Sequence, residues 1–342
     1  MKAVRIDAGG SVSVVELPAP RIGPGEALVR TRAAGICGSD LLGWYARRKA
    51  GTVLGHEIAG EIIEIGAGVS AFEPGDRVVP HHHAPCLACD ACRAGRYVHC
   101  AEWRSSRLDP GGMAEYVRIP QGNLSRDTWK IPGGLSDEEA SFTEPLATVV
   151  KAFRRASFEP GQSILVVGLG TAGQLAVRLA LARGASRVAG ADGVTSRARL
   201  ARSSGAGEVF EAGAGGSGEI ARRSAGRLYD VVFVCPGKIE AMQEAAALAA
   251  PGGTVLLFTM SAPEETWTVS PFDLYFREVR VVPSYSCGPE DTREALDLLA
   301  SRRVPVADLV THRFPIEKAP EAFARARDPN GSVKVVITFE EL

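Results

Sequence analysis

Val166-Val167-Gly168-Leu169-Gly170-Thr171-Ala172-Gly173 is the stretch that decides the fold. It sets Gly-x-Gly-x-x-Gly directly after an apolar run and directly before an Ala/Leu-rich segment, the order of strand, tight turn and helix. In such a unit Gly168 permits the turn, Gly170 lets the backbone approach a pyrophosphate, and Gly173 lets the helix sit close to the sheet. The peptide N–H groups from Thr171 and Ala172 onward then face the phosphates at the positive end of the helix dipole. Asp192 ends the next apolar run, where a carboxylate accepts ribose hydroxyls and repels a 2′-phosphate, so NAD is expected over NADP. Arg197 follows closely enough to bind a phosphate and softens that preference.

The pattern extends on both sides of this turn. Strands are expected at Ser163 to Val167, Arg187 to Asp192, Asp230 to Val234 and Thr254 to Thr259, with helices at Thr171 to Arg183 and Ile239 to Ala250. Such alternation predicts a doubly wound parallel sheet over about 146–283. Gly213 to Gly218 reads as a surface loop. Up to about residue 145 the texture differs: short β-like runs (Ala27 to Arg30, Ile58 to Ile65, Arg77 to Val79) are separated by turns such as Gly23-Pro24-Gly25. That predicts an irregular, mostly antiparallel β domain. The tail, 284–342, adds a helix near Asp291 to Arg302 and a strand at Lys334 to Phe339 that returns to the first domain. The expected class is α/β.

Cys86, Cys89, Cys92 and Cys100 fall within fifteen residues, a spacing that gathers four thiolates around one tetrahedral zinc. Disulfides would need an oxidising compartment. Met1 leads into Lys2-Ala3-Val4-Arg5 with no apolar leader, which predicts a cytoplasmic protein with reduced thiols. A second set, Cys37, His56, Glu57 and Glu144, offers mixed S, N and O ligands of the kind that keep a coordination position open for chemistry. The 342 residues suggest two domains. A net charge of −1 gives no basic footprint for nucleic acid, and no apolar run is long enough to cross a membrane. A zinc ribbon that binds nucleic acid therefore lacks its electrostatic term.

Taken in order, Cys-Gly-Ser-Asp at 37, Gly-His-Glu at 55, the cysteine lobe at 86, Gly-Gly-Met-Ala-Glu-Tyr at 111, Glu-Pro-Leu at 144 and the nucleotide turn at 168 resemble the zinc-containing medium-chain alcohol dehydrogenase family, of the sorbitol and threonine dehydrogenase type. The resemblance implies a GroES-like β-rich catalytic domain, a Rossmann domain, and a homodimer or homotetramer. It implies two zinc ions per chain, one structural and one catalytic, and hydride transfer between NAD and an alcohol or polyol. Carried over, Cys37 and His56 are constant ligands of the catalytic zinc, and Glu144 takes the third-ligand position. Glu57 either ligates or hydrogen-bonds the metal's water. Asp40 accepts the other ring N–H of His56, and Ser39 takes the substrate proton. A zinc-independent alkene or quinone reductase of the same superfamily is the alternative, and it would leave Cys37, His56 and Glu144 without a task.

The sequence departs from its family where the proton relay should lie, five residues after Cys37, for that position is Leu42. His81-His82-His83 stands just before the lobe on an expected strand, where alternation would put His82 on one face and its neighbours on the other. Four residues before the first lobe cysteine is a substrate-pocket position in relatives, so either His82 replaces the missing base or the proton leaves by Ser39, the nicotinamide ribose and water.

Overall fold

The computed structural model describes residues 1–211 and 216–339. Two compact units divide them: the first holds Met1–Ala147, Ser286–Asp328 and the segment from Ser332, and the second holds Thr148–Tyr285 with Pro329–Gly331.

The first unit is built on a mixed sheet whose strands run Val310–Pro315, Lys334–Thr338, Ala27–Gly35, Glu57–Ile65, Arg77–Pro80 and Thr128–Lys130, with Tyr116–Ile119 also paired to Ala27–Gly35. The chain's last strand pairs antiparallel with Ala27–Gly35, so that Val336 faces Gly35. Ala27–Gly35 carries small and β-branched residues and is buried along most of its length, as a strand with neighbours on both sides must be. Ile6, Val29, Ile62, Met113, Ile119 and Phe323 fill the core around it. The cysteine lobe is a satellite of short helical turns, Asp90–Arg93, Tyr97–His99 and Ala101–Ser105, around its own cluster of Cys92, Val98, Cys100 and Trp103. Trp103 Nε1 donates to the carbonyl of Cys287 at 3.2 Å, which ties the lobe to the tail of its unit.

The second unit is a six-stranded parallel sheet in the order Glu208–Glu211, Arg187–Asp192, Ser163–Val167, Tyr229–Val234, Ala249–Leu257, Arg280–Pro283. Numbered along the chain this is 3-2-1-4-5-6, the doubly wound dinucleotide order. Leu165, Val232 and Val255 are fully buried, as parallel strands covered on both faces require. The strands Ser163–Val167 and Arg187–Asp192 lie where the sequence placed them. The expected loop does not stand as written: Gly213 to Ala214 and Gly215 lie outside the described residues, and Gly216 already opens the helix Gly216–Arg223. The strand before the three histidines also ends sooner than expected, at Pro80.

Candidate metal and dinucleotide sites

The lobe brings its four sulfurs together as the spacing required. All four lie within 4.8 Å of one another, with Cys89 and Cys92 3.5 Å apart and Cys86 and Cys92 3.9 Å apart. Ligands on a tetrahedron of Zn–S length about 2.3 Å sit roughly 3.8 Å apart, a value these two separations bracket. The peptide N–H groups of Ala88 and Cys89 point at Cys86 Sγ, at 3.4 and 3.3 Å, and lower that thiol's pKa to about 6. No cysteine of the chain is in a disulfide, so the donor set fits a closed zinc site. His99 is exposed beside it, in contact with Arg104.

The second ligand set is assembled from distant elements. Cys37 leads into the turn Gly38–Leu41, and His56 and Glu57 stand at the start of the strand Glu57–Ile65. Cys37, His56 and Glu57 each offer a ligand atom within 4.8 Å of the others. Burial alone would lower the His56 pKa, yet Cys37, Asp40 and Glu144 around it raise it to about 10. An excess of negative charge about one imidazole is the environment a divalent cation neutralises, so these residues fit zinc. Ser39 Oγ donates to Cys37 Sγ at 3.2 Å.

Asp40 is fully buried behind His56, but the contact is looser than the sequence implied. Its Oδ2 is 3.9 Å from His56 Nδ1, beyond hydrogen-bond length, and has no partner, while Oδ1 accepts from Lys49 Nζ at 2.7 Å. Glu57 pairs with Lys334, a residue the sequence reading missed; both side chains are buried, and Lys334 Nζ also donates to the Ile36 carbonyl at 3.2 Å. The signal was a lysine opening the strand Lys334–Thr338 directly ahead of Val335, Val336 and Ile337.

Glu144, in the first turn of the helix Thr143–Arg155, does not join the mutual cluster of Cys37 and His56. Its ligand atom groups with those of His81 and His82 instead. Burial, with Glu57 nearby, raises its pKa.

The three histidines correct the expected alternation. Because the strand ends at Pro80, the chain bends at His82 and neighbouring rings converge rather than alternate. His81 is buried, with Nδ1 at 2.7 Å from Asp127 Oδ2. His83 is buried against the Trp103 ring of the lobe, 4.0 Å between centroids. His82 does stand beside the site, its ring 5.0 Å from that of His56. Burial and the neighbouring imidazoles hold its pKa well below the usual histidine value. It is therefore neutral at pH 7 and offers a lone pair.

In the second unit the glycine turn has the geometry its sequence implied. Gly168 has φ +84°, and a Cβ on Gly173 would fall 1.9 Å from the Gly168 carbonyl oxygen, so the helix Thr171–Ala182 sits against the turn only because residue 173 has no side chain. A Cβ on Gly170 would meet nothing closer than Arg197 Nη1 at 3.8 Å, which leaves the open backbone cradle a pyrophosphate needs. Asp192 does more than was expected: Oδ2 accepts the Leu169 N–H at 2.6 Å and Oδ1 the Val194 N–H at 2.8 Å. Each oxygen keeps a further lone pair for a ribose hydroxyl.

Comparison with known proteins agrees with both halves. Residues 23–132 match the alcohol dehydrogenase GroES-like domain and residues 172–301 the zinc-binding dehydrogenase domain. The chain is 33% identical to human sorbitol dehydrogenase over 331 residues, 92% of this chain and 89% of that one. It is 30% identical to D-altritol 5-dehydrogenase of Agrobacterium fabrum over 348 residues, covering 99% and 100%. Among solved structures, the alcohol dehydrogenase from Thermus sp. ATN1 superposes with TM-score 0.87 at 29% identity, covering 99% and 100%. A dehydrogenase of Sinorhizobium meliloti 1021 solved bound to NADP gives 0.84 at 31%, covering 98% of each.

Proposed function

The chain belongs to the zinc-containing medium-chain alcohol dehydrogenase family, and from that premise we propose that it moves a hydride between NAD and a secondary hydroxyl of an alcohol or polyol, with a catalytic zinc held by Cys37, His56 and Glu57. The observation that carries this reading is the convergence of those three donors, drawn from separate elements, in a chain whose other unit carries the dinucleotide turn. Bound zinc supplies a Lewis acid that lowers the pKa of a hydroxyl towards neutrality, and bound NAD supplies the hydride acceptor.

The chain's own residues do the rest. Cys37 and His56 fix the binding position, Lys334 holds Glu57 in place, and buried Asp40 favours one orientation of the His56 ring. Ser39 Oγ lies next to Cys37 Sγ and takes the substrate proton, which leaves through solvent because Leu42 offers no acceptor. The four-cysteine lobe holds a structural zinc. In the second unit Gly168, Gly170, Thr171, Ala172 and Gly173 receive the pyrophosphate. Asp192 favours NAD, with Arg197 beside the turn allowing some use of NADP. A reducing cytoplasm suits these thiolates, and a homodimer or homotetramer is the expected assembly.

A panel of alcohols and polyols with NAD and with NADP, read as kcat/KM from the absorbance of the reduced nicotinamide, tests this. We expect polyol-dependent reduction that a chelator abolishes. Turnover that survives complete zinc removal would instead favour the zinc-independent reductase. Asp192→Ala should raise the NADP/NAD ratio of kcat/KM on the order of tenfold, the worth of a charge-assisted hydrogen bond.

A further inference from the structure

Gln174 lies in the first turn of the helix Thr171–Ala182, directly after the glycine turn, and its side chain is fully buried. Its Nε2 donates to the carbonyl of Leu169 at 3.0 Å and to that of Arg197 at 2.9 Å. Both partners are acceptors, so the amide nitrogen must face them and the orientation of the group is fixed. Its Oε1 is buried as well and has no hydrogen-bond partner among the described residues. Interior packing alone favours an apolar side chain here, as at Leu175 and Val177 beside it, because an unpaired amide oxygen in the interior is destabilising.

The two bonds of Gln174 close a circuit that Asp192 begins. Asp192 Oδ2 accepts the Leu169 N–H at 2.6 Å and Oδ1 the Val194 N–H at 2.8 Å. Leu169 is therefore held at its N–H by Asp192 and at its carbonyl by Gln174. The same two side chains also hold Val194 and Arg197, at the opening of the helix Thr195–Ser203. We propose that Gln174 is a positioning residue for the dinucleotide: with Asp192 it locks the segment 194–197 to the glycine turn and so favours a ribose without a 2′-phosphate. The inference rests on the reading of Gly168–Gly173 as the pyrophosphate turn and of Asp192 as the ribose acceptor.

Gln174 acts without touching the ligand, since its burial keeps it from solvent. A dinucleotide that spans the glycine turn and Asp192 binds better when the two are already in register, because no ordering of the backbone remains to be done on binding. The same lock works against NADP. A 2′-phosphate brings bulk and charge to Asp192, and a clamped segment has less freedom to make room for it. Arg197 is the cation such a phosphate would seek; its Nη1 lies 3.8 Å from the place of a Cβ on Gly170, and Gln174 fixes its backbone.

Binding of NADH and NADPH to the full, zinc-loaded chain, read from nicotinamide fluorescence, tests this in Gln174→Met, which keeps the side chain's length and removes both donors. The Kd for NADH should rise about tenfold, the worth of one to two neutral hydrogen bonds, and that for NADPH by no more than about threefold. A lower Tm with both Kd values unchanged would make Gln174 a merely structural residue and overturn the proposal. An equal rise for the two cofactors would overturn it too, since a general loosening would then explain the loss. Should Gln174→Met not fold, Gln174→Asn, whose amide is too short to span both carbonyls, takes its place with the same expected outcome. A wild type that binds neither dinucleotide would refute the dinucleotide reading and this proposal with it. A wild type that binds them, matched by its Gln174 variant, would overturn this proposal alone.

Discussion

The cysteine lobe and the centre around His56 are both metal-ligand clusters of the first unit, and they are built in opposite ways. The lobe takes its donors from one stretch of fifteen residues and orients them with its own peptide N–H groups. The centre draws Cys37, His56 and Glu57 from two separate stretches and balances Glu57 with Lys334 from the far end of the chain. A local cluster can form its geometry before the domain does, and metal binding then contributes folding free energy directly. A dispersed cluster has no geometry until the sheet is in place, so its metal is a passenger of the fold.

The largest effect follows from that contrast and is a crossover. Cys37→Ser should lower kcat/KM by about 10³-fold or more while leaving the unfolding temperature nearly unchanged, since it removes the metal that polarises the hydroxyl and little packing. Cys92→Ser should do the reverse: a lower Tm first, with activity per folded molecule largely kept. Thermal unfolding and steady-state kinetics on the two variants check this. If both variants lost stability equally, the difference between local and dispersed construction would be false.

Lys334→Met comes next and sharpens the comparison. Glu57 and Lys334 are a buried ion pair, and removing one partner leaves the other charge uncompensated, at a cost of about 3–5 kcal/mol. In the metal-free protein the full cost should appear in denaturant unfolding. With zinc bound, the cost should shrink if Glu57 ligates, because the metal replaces the lost cation. An equal cost with and without zinc would remove Glu57 from the ligand set.

Legibility in the sequence tracks the same contrast. The lobe and the glycine turn were readable to the residue because their chemistry repeats at fixed short spacings. Cys37 and the Gly-His-Glu at 55 were readable only jointly, from their order along the chain. What escaped reading depended on where an element stops. A strand running through His83 would have kept the expected alternation, and its early end brings the three rings together. Asp127, which holds His81, stands between a short helix and a short strand and has no sequence signature at all. Lys334 was visible as an oddity, yet its partner lies 277 positions away. No local pattern encodes a pair that only the closed sheet brings together.

The smallest effect concerns acid, and it falls on the dispersed side alone. Glu144 sits five residues beyond Glu139, which closes a capping box with Ser136 on the helix Asp137–Ala140 and pairs with Arg302. Burial alone would raise the Glu139 carboxyl, but Arg302 and the Ser136 N–H and hydroxyl outweigh it and hold its pKa below the usual range. A carboxylate whose folded pKa is depressed stabilises the fold at pH values above its unfolded pKa of about 4.3, and that stability is lost as pH falls through the folded value. Glu139→Gln keeps the cap's shape and removes its charge, so at pH 7 it should cost about 1 kcal/mol, roughly 2 °C in Tm. As the pH falls from the unfolded value through the lower folded one, the wild-type carboxyl protonates too, and the gap between the two proteins should close. The lobe's own carboxylates, Asp90 paired with Arg93 and Glu102 paired with Arg126, are exposed, so the Tm deficit of Cys92→Ser should persist as the pH falls for as long as the wild-type lobe keeps its metal. A Glu139→Gln deficit that stayed constant as the pH fell far below the unfolded value would show that shape, not charge, holds the helix that carries the chain towards Glu144.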